Sequence, residues 1–134
     1  MSLGKLLYEA NGKQTALRIL DVNGSLESSG NDNGKFKDPD LKCTNYWTVK
    51  TVIEFDGTEI GKGNGLMFVD DGEIVFYVAS FTGSPSHSGR SIRGSIDFQT
   101  GTKGKLSSLD DKVGVFELDF DVNQKYSLKI WKWN

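Results

Sequence analysis

The chain has 134 residues and a formal charge of −2, with 16 Lys and Arg against 18 Asp and Glu. That length is usual for one domain, here 1–134, and is enough to bury a core without disulfides or a structural metal. Balanced, alternating charges leave no basic face for nucleic acid or anionic lipid, and no apolar run approaches the roughly 18–20 residues of a membrane span, so neither partner is expected.

Sixteen glycines against two prolines, with β-branched and aromatic residues in short alternating runs, predict many strands joined by tight turns. Lys5 to Val22 is interrupted by Asn11 and Gly12 and reads as two strands or one bent strand. Asn23 to Asp40, rich in Gly, Ser, Asn and Asp, reads as one weak strand between loops and is the expected mobile region. Clearer strands follow over Tyr46 to Asp56, Glu59 to Val69, Glu73 to Phe81, Ser91 to Thr100, Val113 to Asp121 and Tyr126 to Trp133. Asp56-Gly57 and Asp71-Gly72 supply the positive φ that two-residue hairpin turns need. The total is about eight strands. Short connections make them an all-β antiparallel meander, and closing it into a barrel removes the exposed edges.

The last hairpin has a predictable register. Phe116, Leu118, Phe120 and Val122 share one face, and Tyr126, Leu128 and Ile130 form the apolar row of the next strand. A three-residue loop of Asn123, Gln124 and Lys125 pairs Val122 with Tyr126, Phe120 with Leu128 and Leu118 with Ile130, and sets Asp119 opposite Lys129. Two other runs, Leu66 to Val69 and Ile74 to Val78, are apolar at every position. Their outer faces need cover from the N-terminal or loop segments, or from a second copy, so strands 66–69 and 74–78 are the expected homo-oligomer surface.

Cys43 is the single cysteine, which excludes an intrachain disulfide. Without a basic segment and apolar core at the N-terminus, it points to a reducing, cytoplasmic location. It reads as a small semi-buried residue, with a reactive thiol as the alternative.

The chain resembles a family of small uncharacterised proteins with a calycin-like barrel, similar in architecture to the allene oxide cyclase barrel. The likeness rests on Gly61, Gly63 and Gly65; Asp71 to Glu73; Gly89-Arg90, Arg93-Gly94 and Phe98-Gln99-Thr100; Lys105-Leu106 with Leu109; Val115-Phe116-Glu117; and the closing Lys129 to Trp133. It implies an eight-stranded barrel and no activity, since one fold hosts many functions. None of the cyclase's functional residues matches this chain, and neither the lipocalin Gly-x-Trp signature nor the helical lid of fatty-acid-binding proteins is present.

Several motifs look chemical but have simpler readings. No helix follows Gly61 to Gly65, so these glycines suit a barrel bend or close approach, not a phosphate loop. Asn31-Asp32-Asn33-Gly34 fits a calcium loop poorly and reads as a flexible turn. A lone His87 makes no common zinc site, and no metal or cofactor is expected.

The candidate ligand-binding residues are Arg90, Lys132, Glu117 and His87. Arg90 shares a row with Ile92, Gly94, Ile96 and Phe98, so its guanidinium either faces inward to grip a ligand carboxylate or reaches back to water. Lys132 continues the apolar row of the last strand, and Glu117 lies on the opposite row. His87 sits in a loop where a base at a barrel mouth could stand, with Cys43 as a formal partner; otherwise it is a solvated loop residue. Trp131 and Trp133 face away from Leu128 and Ile130, to cover the barrel seam or anchor a partner.

The leading expectation is a binding module for a small, mostly apolar ligand, with an acid group near Arg90. The alternatives are an isomerase or cyclase acting on an apolar substrate, and a non-catalytic oligomeric interaction module with a solid core. No acid, base and nucleophile set is recognisable, which leans against an enzyme.

Overall fold

The protein is described by a computed structural model covering residues 3–101 and 103–133. Eight strands run in order: β1 (Leu3–Ile19), β2 (Ser25–Lys37), β3 (Asp40–Ile53), β4 (Glu59–Val69), β5 (Ile74–Pro85), β6 (Gly89–Gln99), β7 (Val113–Asp121) and β8 (Lys125–Trp133). Each pairs antiparallel with its neighbour in sequence, and β8 returns to β1 to close the barrel. The period-2 pattern explains the interior: Met67 and Val69, Val75 and Tyr77, Ile92, Ile96 and Phe98, and Tyr126, Leu128 and Ile130 are all buried.

The N-terminal segment is one bent strand. Register shifts between Leu3 and Tyr8 and between Gln14 and Ala16 absorb the bend while β1 pairs with both β2 and β8.

Asn23 to Asp40 departs from expectation. Instead of a weak strand between loops, it contributes the 13-residue strand β2, and Asn31 to Gly34 lies mid-strand, paired with both neighbours. Hydrophobic patterning misses it because its inward row runs Leu26, Ser28, Gly30, Asp32, Gly34 and Phe36, with no large apolar side chain between its two ends. The apolar filling there comes from other strands: an added Cβ at Gly30 would overlap the Trp47 ring, and one at Gly34 the Tyr8 ring. β3 likewise begins at Asp40, six residues before the predicted Tyr46, because it pairs with β2 along its whole length.

The β7–β8 loop has the predicted length but starts one residue earlier, at Val122, and spans Val122 to Gln124. Phe120 therefore faces Tyr126, Leu118 faces Leu128 and Glu117 faces Lys129. Two interactions set this register. Asp121 Oδ1 accepts from the backbone N–H of Asn123 (2.8 Å) and Lys125 (3.1 Å), and Gln124 takes a left-handed φ of 65°. The two-residue slip preserves parity, so apolar residues still face apolar ones. Asp119 instead meets Arg93 Nη1 at 2.9 Å.

The two ends of the barrel differ. At the end carrying the β2–β3 and β4–β5 turns, the long β6–β7 connection folds in as a plug. Leu106, just before a short 3-10 turn (Ser107–Leu109), and Leu109, its last residue, are buried with Tyr8, Phe36, Met67, Val75 and Phe98. Glu73 Oε1 holds the plug by accepting from the Leu106 N–H at 3.0 Å. On the outside, Trp131 and Trp133 stand opposite Leu6 and Leu3 along the β1–β8 closure. The outer faces of the two apolar runs stay uncovered: Phe68, Ile74, Phe76 and Val78 are each about half exposed, beside an equally exposed Tyr46. No helix among the described residues is long and apolar enough to cross a membrane.

Candidate functional site

The half of the barrel away from the plug is hollow. Its cavity of about 270 Å³ is walled by apolar side chains, among them Leu26, Val49, Ala79, Ile92, Phe116 and Leu118. The hollow follows from the sequence of β5, where Ala79 stands between the larger Tyr77 and Phe81 on the inward row. An apolar cavity of roughly 150 Å³ accepts benzene, so this one has room for two fused rings.

Glu59 and Arg90 form the charged part of the cavity wall, toward the end with the β3–β4 and β5–β6 turns. Arg90 Nη2 lies 3.1 Å from Glu59 Oε2 and donates to the carbonyl of Gly57 at 2.7 Å. Burial raises the Glu59 carboxyl above its ordinary range, and the Arg90 charge and hydrogen bond work against that rise.

The inner end of the cavity is polar. Asp32 of β2 is buried and accepts three hydrogen bonds: from Tyr8 Oη (2.7 Å), Tyr126 Oη (2.5 Å) and Asn45 Nδ2 (2.9 Å). Tyr126 Oη in turn accepts from Trp47 Nε1 at 2.7 Å, and Tyr77 Oη donates to Asn45 Oδ1 at 2.7 Å. The cluster joins strands β1, β2, β3, β5 and β8 across the barrel. Asn45, Trp47 and Tyr77 line the cavity, and Asp32 lies behind them. Glycines on neighbouring strands make room for these rings: an added Cβ would overlap Tyr126 at Gly12 and the phenol end of Tyr77 at Gly65. Burial pushes the Asp32 carboxyl up, opposed by the hydrogen bonds from Tyr126, Tyr8 and Asn45. Burial also raises all three tyrosines, which stay protonated donors.

Of the four residues singled out from sequence, Arg90 alone lines this cavity. Its row faces inward as the alternation indicates, with Ile92, Ile96 and Phe98 buried beside it. Glu117 is on the outer face, 3.6 Å from Arg93 Nε and opposite Lys129. Lys132 is exposed near the plugged end, opposite Gly114, and His87 is exposed in the β5–β6 turn. Cys43 is buried on the plugged side, where burial pushes its thiol up to about 12, so it is protonated and does not meet His87.

Sequence reading missed Asp32, Asn45, Tyr77 and Glu59. Asp32 lies in a stretch whose composition reads as a turn, and Glu59 at a strand start beside a turn. The usable signal is the spacing of glycines along one strand face, Gly30 and Gly34 four apart and Gly61 and Gly65 four apart, which marks where large rings from neighbouring strands cross the interior.

Among solved structures the chain is similar to a conserved protein of unknown function from Rhodopseudomonas palustris, at 9% identity and TM-score 0.76, covering 98% of each chain. It is also similar to a β-barrel-like protein from Acinetobacter baumannii, at 14% identity and TM-score 0.75, covering 98% of this chain and 94% of that one. A protein of unknown function from Clostridium acetobutylicum aligns at 10% identity and TM-score 0.71, covering 98% and 97%. No family model and no curated protein matches the chain. The likeness is one of fold: a closed eight-stranded antiparallel meander barrel shared with proteins of unknown function.

Proposed function

We propose that this protein is a binding module for a small, mostly apolar molecule held inside the barrel. The observation that carries the reading is the cavity of about 270 Å³, lined mostly by apolar side chains, with the Glu59–Arg90 pair as its charged part and a few uncharged polar groups, Asn45 and Tyr77 among them. Pockets that hold small molecules share this make-up, an apolar lining with a few polar groups that fix orientation. A binding role is favoured over proton-transfer catalysis. Glu59 on the cavity wall is paired with Arg90, and the buried Asp32 reaches the cavity through Asn45 or through Tyr126 and Trp47, whose amide and indole are no proton carriers at neutral pH. Calorimetric titration with naphthalene tests the reading. One molecule should bind per chain, and Ala79→Phe, which fills the cavity while the barrel stays folded, should abolish binding; failure of the native protein to bind, or equal binding by the variant, overturns it.

A second reading, self-association, is supported by the uncovered outer face of β3 to β5. Tyr46, Phe68, Ile74, Phe76 and Val78, each about half exposed, offer on the order of 500 Å² of contiguous apolar surface. That is more than half of the roughly 800 Å² each partner contributes to a standard interface. The occupant that fits is a second copy of this chain, its Leu66 to Val69 and Ile74 to Val78 strands facing their own counterparts. Sedimentation velocity should give a dimer that Phe76→Lys converts to a folded monomer. A native monomer at 100-fold dilution steps up to about millimolar would end this reading and leave the first untouched.

A further inference from the structure

We propose that the cavity selects a neutral, mostly apolar alcohol or phenol that enters hydroxyl first and donates its hydrogen to Tyr77 Oη. This rests on the binding reading above and adds the chemical class of the ligand.

The direction of the hydrogen bonds carries the inference. Asn45 turns its amide nitrogen to Asp32 Oδ2 and its oxygen to Tyr77, at 2.9 and 2.7 Å. An amide oxygen only accepts, so the Tyr77 hydrogen is committed to it. What Tyr77 has left for the cavity is the lone pairs of its oxygen, and the group that satisfies a lone pair is a donor. The chain therefore runs one way, from a ligand donor through Tyr77 and Asn45 to Asp32.

Charge excludes the opposite class. No lysine, arginine or histidine among the described residues forms an ion pair with Asp32. An anionic ligand head beside Asn45 would sit one amide away from a buried carboxylate, in surroundings that weaken repulsion little. Arg90, the cation on the cavity wall, is already taken by Glu59 and by the carbonyl of Gly57, so a ligand acid would have to displace a neighbour of its own charge type. An apolar ligand without any donor fits the wall but leaves the Tyr77 oxygen, in a residue 8% exposed, facing hydrocarbon. An alcohol or phenol satisfies all of these conditions at once.

Calorimetry at pH 7 with four probes of one shape provides the test: naphthalene, 2-naphthol, 2-methoxynaphthalene and 2-naphthoate. The expected order has 2-naphthol about tenfold tighter than naphthalene, the increment of one well-made hydrogen bond. The methyl ether should bind no better than naphthalene, and the naphthoate should bind worst. Tyr77→Phe should remove the advantage of the naphthol, leaving 2-naphthol no tighter than naphthalene in the variant. A naphthoate as tight as the naphthol, a methyl ether matching the naphthol, or a naphthol advantage that survives in Tyr77→Phe overturns the ligand class while cavity binding stands. If naphthalene and naphthol both fail to bind, both readings fall. Should Tyr77→Phe not fold, the order of the four probes on the native protein decides alone.

Discussion

Asp32 is a buried carboxylate whose partners all donate to it, so its removal should be among the most damaging single changes in the barrel. Asp32→Ala strands three donors at once, on Tyr8, Tyr126 and Asn45, none more than 4% exposed. A buried donor left unpaired costs about 1–3 kcal/mol. Rotation of the two tyrosine hydroxyls and relief of the buried charge return part of this, and the expected loss is about 3–5 kcal/mol at pH 7, a large share of the roughly 5–15 kcal/mol a domain has. Asp32→Asn keeps the shape and one acceptor and should cost about 1–2 kcal/mol.

The pH dependence separates the charge from the contacts. Burial holds the folded Asp32 carboxyl above its unfolded value of about 4. The folded state therefore binds this proton more tightly, and the Asp32 contribution to stability is complete below about pH 4 and lost as pH rises through the folded value. Asp32→Asn removes this loss, so the variant should deficit most at pH 4 and recover part of the gap by pH 7. Glu59, raised in the same direction, contributes equally to both proteins and cancels in the comparison. Urea unfolding followed by tryptophan fluorescence at both pH values measures each difference. An Asp32→Ala loss under about 1 kcal/mol, or parallel pH profiles for Asp32→Asn and the native protein, refutes the reasoning.

Three further outcomes follow from the packing. Leu106, 2% exposed in the plug, should cost about 2–5 kcal/mol when cut to Ala, measured by urea unfolding; a loss below 1 kcal/mol would mean that the plug is not part of the folded core. Gly65→Ala and Gly72→Ala form a contrast. A Cβ at Gly65 overlaps Tyr77, whereas at Gly72 it meets nothing within 4 Å and only the φ of 95° is strained. Gly65→Ala should therefore lose several degrees more in Tm than Gly72→Ala, whose cost is about 1 kcal/mol, and equal shifts would contradict the ring-over-glycine packing. Gln124→Gly should raise stability by up to about 1 kcal/mol, because Gln124 holds a left-handed φ of 65°; a loss would show that its side chain matters more than its backbone.

Much of the barrel was legible because the physics behind it is local. Strands β4 and β7 match their predicted bounds, Glu59–Val69 and Val113–Asp121, since alternation and a flanking Asp-Gly or charged turn act over a few residues. Arg90 was found on the inward row by the same count. The site was less legible: Asp32 lies in the polar run Asn31 to Gly34, and Asn45 precedes Tyr46 and Trp47, where alternation does not mark a polar residue as buried.

What the sequence determined by itself is therefore the class of fold: alternating strands, tight turns and a chain long enough to close on itself. Which polar residues lie inside was decided by tertiary structure alone. Asp32 becomes an interior acid only because Tyr8 arrives from β1, Asn45 from β3 and Tyr126 from β8, 24, 13 and 94 residues away in sequence. The hollow beside it likewise needs facing strands to be brought together around Ala79, with the plug filling the other half. Hydrogen-bond partners and empty space are relations between distant segments, and they acquire values only when the barrel closes.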